Sequence, residues 1–160
     1  DSRWEEFSEL AEKGQKYIKK LEDLVDEDTN AFNHIINAFR LSEKNANEKQ
    51  YKAKQIEKAT LHAIEVPLRI MELSLESMNI IDTLTLKGNP NSVSDAGVAA
   101  LCARSAVLGG HLNVLINAKE LNNSDLKIQF VKEADLLIEA ALKKEEQILL
   151  KTINVINKST

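Results

Sequence analysis

Apolar residues recur from Phe7 to Phe39 at alternating spacings of four and three, and this pattern predicts one long helix. The positions of this stripe are Phe7, Ala11, Gly14, Ile18, Leu21, Val25, Asp28, Phe32, Ile35 and Phe39. A repeat of 3.5 residues places all of them on one face of an α-helix, directed at the core. At about 1.5 Å per residue this helix runs to roughly 50 Å, more than one small globule covers. We therefore expect an elongated bundle of long antiparallel helices that pairs with a second copy.

A second periodic run extends from Ile56 to Leu84 and ends at Lys87-Gly88, a cationic last turn followed by a glycine. The polar segment 41–48 reads as the connection that precedes it. Pro67 lies inside the run, where it removes a hydrogen bond to the Ala63 carbonyl and should kink the helix.

Two more helices follow. The third begins near Ser92 or Ser94, where Ser92 and Asp95 fit a capping box. The fourth runs from about 123 to 154 after a start rich in capping residues. The chain therefore reads as all-α, with residues 1–160 forming a single domain.

Composition excludes several classes of function. The 21 basic residues are outnumbered by 25 acidic ones, so a nucleic-acid surface is not expected. No apolar run approaches the roughly 20 residues of a membrane span, and no signal peptide is visible, so we expect a cytoplasmic protein without a membrane partner. The single Cys102 reads as a small buried side chain. No His, Cys or carboxylate set has the spacing of a metal site, so no metal is expected.

Polar residues at core-like positions are the candidates for chemistry, because burying them costs free energy unless they find partners. Asp28 interrupts the first stripe, either as a functional carboxylate or as the cap of a helix that restarts after Val25-Asp26. Ser94 and Asp95 open the third helix after a Gly-Asn-Pro-Asn turn, and capping explains them as well as ligand binding does.

His111 follows two glycines inside the third helix, which indicates that backbone or ligand comes close there. It is either a hydrogen-bonded core residue or a proton carrier. Asn113 and Asn117 share a face at a spacing of four, suited to a heteroaromatic ring edge or to bonds between helices. His34 and His62 have no evident partners and read as incidental.

Four short segments occur in an order typical of one family: Asp28-Thr-Asn-Ala31-Phe32, Val66-Pro67-Leu68, Gly88-Asn89 with Ser94-Asp95, and Asn113 to Asn117. On these segments the chain resembles the cyclodeaminase domain of formiminotransferase-cyclodeaminase and the related methenyltetrahydrofolate cyclohydrolases, from about Trp4 to Ile153. The resemblance implies an all-helical homodimer or a higher even oligomer. Relative to the family, an N-terminal helix preceded by a glycine-rich segment is expected to be missing.

The resemblance further implies a lyase of one-carbon metabolism and histidine degradation. It would close 5-formiminotetrahydrofolate to 5,10-methenyltetrahydrofolate with release of ammonia. The substrate would be a tetrahydrofolate derivative, with or without a polyglutamate tail, and no other cofactor is expected. One alternative is methenyltetrahydrofolate cyclohydrolase activity; another is a non-catalytic helical scaffold or adaptor.

That chemistry assigns roles to the residues on the matching segments and beside them. Asp28 and Asp95 are the expected acid-base or cation-stabilising carboxylates, with His111 as a reserve proton shuttle. The expected substrate-binding residues comprise pterin-recognition candidates and two cations for the glutamate tail: Asn89, Ser94, Asn113, Asn117, Lys87 and Arg69.

Overall fold

The computed structural model describes residues 2–158, which form long helices joined by short connections. The elements are α1 (Ser2–Phe39), α2 (Ala46–Lys87), a short 3₁₀ helix (Pro90–Ser92), α3 (Val93–Ala118) and α4 (Ser124–Lys158). At about 1.5 Å per residue, α1 and α2 are roughly 57 and 63 Å long. Residues 2–158 contain no strand, so the predicted all-α architecture is confirmed.

Helix α2 is the centre of the bundle, because α1 and α3 both pack along it and α4 packs against α3 and α2. The main core lies between α2, α3 and α4, where Met71, Val107 and Ile148 are completely buried. Contacts of Glu6 with Lys87 and of Glu27 with His62 show that α1 and α2 run antiparallel.

The prediction that the α1 stripe faces the core is wrong for most of its positions. Val25, Phe32 and Phe39 are 65%, 62% and 54% exposed. Helix α1 instead rests on α2 through the neighbouring face, where Ala31 and Ala38 are buried. These small side chains let the two helices approach closely, and the larger residues are left outside.

The helix boundaries agree with the sequence except at one cap. Asn123 accepts hydrogen bonds from the backbone N–H groups of Asp125 and Leu126, which confirms the capped start of α4. The capping box predicted for Ser92 is wrong, because that side chain makes no capping bond. The 3₁₀ helix that ends there holds Ser92 at φ −110° and ψ 12°, outside the extended conformation of an N-cap.

Two predictions about α3 are also wrong, namely that Cys102 is buried and that no segment approaches the length and composition of a membrane span. Cys102 is exposed rather than buried. The segment Pro90–Ala118 is long and apolar enough to cross a membrane by length and composition, although the core helix of a soluble protein passes the same test. Only 22% of its most apolar window is buried. Helix α3 therefore carries an uncovered apolar face.

An ion cluster joins helices α2 and α4 and makes the stability of the fold depend on pH. Lys144 and Lys151 donate to the Asp82 carboxylate at 2.8 and 2.5 Å. Burial alone would raise the pKa of Asp82, but the two hydrogen bonds outweigh it and the pKa is lowered. Because the folded-state pKa lies below the unfolded one, this stabilisation is present above about pH 4 and is lost as the pH falls further.

We expect Asp82→Asn to be less stable than wild type at neutral pH and to lose less stability on acidification. Urea unfolding between pH 6 and pH 3 measures both quantities. The exposed carboxylate of Asp23, which pairs with Lys19 within α1, gives the control variant Asp23→Asn, whose stability should change little. Parallel wild-type and Asp82→Asn curves down to pH 3 would contradict the prediction.

Candidate active site

Asp28 lies on the exposed side of α1 and its position is fixed by the residue one turn later. Helix α1 is continuous from Ser2 to Phe39, so the interpretation of Asp28 as a cap after a break is wrong. Ala31 is 1% exposed and packs against Ala63 and Val66 of α2. Asp28 is itself exposed, so the expectation of a carboxylate buried by its own chain is wrong as well.

Asn117 binds α3 to α2 at the level where Ala31 of α1 packs against α2. Its Nδ2 donates to the Ala63 carbonyl at 2.7 Å. That carbonyl is the one that loses its helical partner because Pro67, four residues later, has no N–H. The amide expected to recognise a pterin therefore makes a bond between helices and satisfies the break that Pro67 introduces.

This contact predicts a strong coupling between Asn117 and Pro67. Asn117→Ala leaves the Ala63 carbonyl without a donor and should cost about 1–3 kcal/mol. In a Pro67→Ala background, the new backbone N–H can bond Ala63, so the same substitution should cost less than half as much. Urea unfolding of the four proteins in this double-mutant cycle gives the coupling energy. Equal costs in both backgrounds would contradict the role assigned to Asn117.

The candidate residues around the connection between α2 and α3 lie far along the bundle from Asp28 and Asn117. Asn89, Ser94 and Asp95 are all exposed there, beside the ion pair of Lys87 with Glu6. Asp95 precedes Asn117 by 22 residues (117 − 95) on one continuous helix. That is about 33 Å along the axis. One chain therefore does not bring Asp28 and Asp95 into a shared cleft.

Of the remaining candidates, Arg69 lies on the outside of α2, where it bonds Glu72 at 2.6 Å. Asn113 is exposed on α3, one turn before Asn117. His111 turns toward α4, where its Nε2 lies 2.7 Å from the Asp135 carboxylate. The two glycines before it have different surroundings: a Cβ on Gly110 would meet Met71 and the Pro67 carbonyl, and one on Gly109 would meet nothing within 4 Å.

Sequence reasoning missed Asp135 and a cleft between α1 and the first half of α2. The cleft has a volume of about 660 Å³ and includes His34, Tyr51, Lys58 and His62 in its lining. The imidazoles of His34 and His62 stack with centroids 6.0 Å apart, and His62 Nε2 lies 2.9 Å from Glu27. No short-range pattern signals either feature, because the partners are 24 to 35 residues apart.

Two histidines of residues 2–158 pair with carboxylates, His62 with Glu27 and His111 with Asp135. Each pair orients an imidazole by a hydrogen bond at one ring nitrogen. Among residues 2–158, no group of three or more His, Cys, Asp or Glu is arranged to hold a metal ion.

Comparison with known proteins places these residues in a family. A family model described as formiminotransferase-cyclodeaminase matches residues 1–136. The methenyltetrahydrofolate cyclohydrolase of Methylorubrum extorquens is 30% identical over 143 residues, which cover 89% of this chain and 69% of that protein. The formimidoyltransferase-cyclodeaminase of Sus scrofa is 31% identical over 122 residues, 76% of this chain but only 23% of the length of that protein.

The fold has a solved counterpart. The crystal structure of formiminotetrahydrofolate cyclodeaminase from Thermotoga maritima superposes with a TM-score of 0.74 at 23% sequence identity, covering 92% of this chain and 71% of that one. The bundle of long helices is therefore shared with that protein. The sequence segments, the fold and the extent of the family match together show that the chain belongs to the formiminotransferase-cyclodeaminase family.

Proposed function

We propose that this chain closes 5-formiminotetrahydrofolate to 5,10-methenyltetrahydrofolate and releases ammonia. The observation that carries the proposal is the family match over residues 1–136, which includes every candidate residue from Asp28 to Asn117. The pig relative is named for a cyclodeaminase. The segments on which this chain resembles the family lie within the residues that the family model matches.

The reaction needs one proton removed and one delivered. N10 of the folate attacks the carbon of the protonated formimino group, whose C=N double bond becomes single, and N10 loses its proton as the new C–N bond forms. The former imino nitrogen then takes up one proton, its bond to the carbon breaks, and it leaves with the electron pair as ammonia, so that the cationic methenyl bridge between N5 and N10 remains. A general base and a general acid each contribute about 10²–10⁴-fold to such a step. The carbon carries amidinium-like positive charge in the transition state, which a nearby carboxylate stabilises.

Asp28 is the residue we assign to the positive carbon and to proton transfer, because it is exposed to an incoming ligand and fixed by the buried Ala31. Asn113 is the amide assigned to the pterin. His111, oriented by Asp135, is the reserve proton shuttle.

The glutamate tail of the folate is assigned to Lys87 or to Arg69, which are alternatives because they lie 18 residues apart on α2 (87 − 69). Both already bond a carboxylate, Glu6 and Glu72 respectively. Surface pairs of this kind contribute at most about 1 kcal/mol, so a tail carboxylate can take the place of the protein one. We propose in addition that the protein acts in the cytoplasm as a homodimer or a higher even oligomer.

Hydrolysis of 5,10-methenyltetrahydrofolate is the second candidate function. It is favoured by the Methylorubrum extorquens relative, whose name is that of a cyclohydrolase and of which this chain covers 69%. In that reaction water attacks the same one-carbon centre and the ring opens, so the same carboxylate serves.

One assay separates the candidates. We expect the purified chain, given 5-formiminotetrahydrofolate, to form ammonia and the methenyl chromophore in equal amounts. No ammonia from that substrate, together with loss of the methenyl chromophore when 5,10-methenyltetrahydrofolate is supplied instead, would assign the cyclohydrolase reaction. If neither reaction occurs and folates give no thermal shift, the chain is a scaffold. The exposed positions of Asp28, Asp95 and Asn113 in the single chain are what a scaffold would show.

A further inference from the structure

The cleft between α1 and α2 is separate from the residues assigned to the folate reaction. Its volume of about 660 Å³ is that of a small-molecule site. Its lining comes from α1, α2 and the connection between them, and includes neither Asp28 nor any residue of α3. Asp28 and the lining residue His34 are six positions apart on α1, so they point about 120° apart around the helix. The cleft therefore lies beside a different flank of α1 from the one that carries Asp28.

The wall that α2 contributes to the cleft is one continuous polar and aromatic face. Its residues follow one another at alternating spacings of four and three, as positions on one helical face do: Tyr51, Gln55, Lys58, His62 and Glu65. This wall extends over 14 positions (65 − 51), or about 21 Å. Between the two helices, the lining is formed by the buried Ala38 and Ala59. These small side chains leave room for a flat ring above them.

Two stacked imidazoles give the cleft an aromatic surface. The ring centroids of His34 and His62 are 6.0 Å apart, with 30° between the ring planes. The Nε2 atom of His62 lies 2.9 Å from the Glu27 carboxylate, which holds that ring in place. Toward the connection between α1 and α2, the ring of Tyr51 is 57% exposed. Aromatic faces that are accessible in this way are the surfaces on which flat ligand rings stack.

Two opposite charges stand on either side of His62. Lys58 and Glu65 are exposed, and within residues 2–158 neither side chain forms an ion pair or a hydrogen bond. They are seven positions apart, so they share a face of α2 and are separated by about 10 Å along its axis. A ligand that satisfies both carries an anion at one end and hydrogen-bond donors at the other. Its flat part then lies over the imidazoles between them.

We propose that this cleft binds a 2-amino-4-oxopyrimidine ring, as found in guanine and in pterin, joined to an anionic group. The adjacent ring N–H and amino group of that edge donate two parallel hydrogen bonds to the Glu65 carboxylate. The ring stacks on the imidazole pair of His34 and His62. Lys58 pairs with the phosphate of a nucleotide or with the carboxylate of a folate. The proposal does not rest on the proposed function, because the cleft contains none of the residues assigned to that reaction.

The Glu65 carboxylate selects among heteroaromatic rings. Guanine and pterin each present two adjacent donors, which match its two oxygens. Adenine presents an acceptor nitrogen beside its amino group, and that lone pair would face a carboxylate oxygen. A site built to accept two hydrogen bonds rejects a ring that offers only one. The cleft should therefore bind guanosine monophosphate at least about 10-fold more tightly than adenosine monophosphate.

Calorimetric titration of the purified chain tests the ligand class and separates its two sources. The probes are guanosine monophosphate and 5-formyltetrahydrofolate, with adenosine monophosphate as the control ring. Binding of guanosine monophosphate in preference to adenosine monophosphate would support a guanine in the cleft. Binding of 5-formyltetrahydrofolate that is lost in the cleft variants below would support a pterin. Equal binding of both nucleotides without cleft-dependent folate binding, or no binding of any probe in the cleft, would overturn the proposal.

Two substitutions in the cleft locate the binding. Glu65→Gln replaces one acceptor by a donor, and Lys58→Met removes the cation; each should weaken binding by about 10- to 100-fold. The matched controls are Glu57→Gln and Lys54→Met, since both residues are exposed on α2 but do not line the cleft. They should leave binding unchanged. Folate binding that survives both cleft substitutions belongs to the site of Asp28, and it would overturn a pterin in the cleft.

The histidine rings report the position of the ligand without any substitution. The chain has three histidines. Two of them, His34 and His62, line the cleft, whereas His111 is bonded to Asp135 of α4 and serves as an internal control. In nuclear magnetic resonance spectra, saturating guanosine monophosphate or 5-formyltetrahydrofolate should shift the ring signals of His34 and His62 and leave those of His111 in place. A bound probe that leaves both cleft signals unchanged would overturn the proposal.

Discussion

Asp28→Asn is expected to lower turnover of 5-formiminotetrahydrofolate by about 100-fold or more without destabilising the fold. An amide keeps the size of the side chain but removes the charge that stabilises the cationic carbon and the oxygen that accepts a proton. Because Asp28 is exposed on a continuous helix, its replacement leaves the packing of Ala31 on α2 intact. Steady-state kinetics followed by ammonia release and by thermal unfolding measure both parts of the prediction.

The control for this variant lies two residues away. Asp26 is also an exposed aspartate of α1 but lies outside the short segment from Asp28 to Phe32 on which the chain resembles the family, so Asp26→Asn should keep wild-type turnover. If Asp28→Asn turns over substrate within about threefold of wild type, the assignment of Asp28 to the reacting centre is wrong. A loss shared equally by both variants would indicate a general effect of charge on α1.

Gly110→Val is expected to produce the largest loss of stability. A Cβ at this position lies 2.5 Å from Met71 Cγ and 3.0 Å from the Pro67 carbonyl oxygen, and the second of these is backbone. Valine adds two methyl groups beyond that Cβ, so α2 and α3 must separate at the point where Asn117 and the main core hold them together. Overpacking of cores costs about 1–3 kcal/mol for smaller insertions. We expect about 3 kcal/mol or more, measured by urea unfolding.

Gly14→Ala is the matched control, because Gly14 is also a mid-helix glycine and a Cβ there meets nothing within 4 Å. It should stabilise α1 by about 0.5–1 kcal/mol, the usual gain from replacing a helical glycine. A Gly110→Val protein as stable as wild type would contradict the close approach of α2 and α3.

The pattern of apolar residues predicted the class of fold well and the faces of α1 poorly. A repeat of 3.5 residues defines a stripe, but α1 carries two adjacent stripes, one of large residues and one that includes Ala31 and Ala38. The buried one is the stripe with small residues, because α2 can approach it. Helical spacing does not tell which of two neighbouring faces a partner helix will choose.

The sequence revealed candidate residues at positions where a polar residue, a proline or a glycine is unfavourable for packing. It did not reveal the residues that contact them. Asn117, Pro67 and Gly110 each looked unfavourable alone, and the structure joins them: Gly110 admits the Pro67 backbone, and Asn117 bonds the carbonyl that Pro67 releases. Asp135 and the pair of His62 with Glu27 gave no signal in the sequence, since contacts between helices depend on their register.

The sequence by itself determined that this protein is a bundle of long helices, because helical periodicity is a local property of the chain. It also determined the family, through short segments that keep their order along the chain. Only the tertiary structure decided that Asp28 and Asp95 stand at different levels of the bundle and that α3 presents an uncovered apolar face. Both facts depend on how far each helix slides along its neighbour, and that is set by packing between residues distant in sequence.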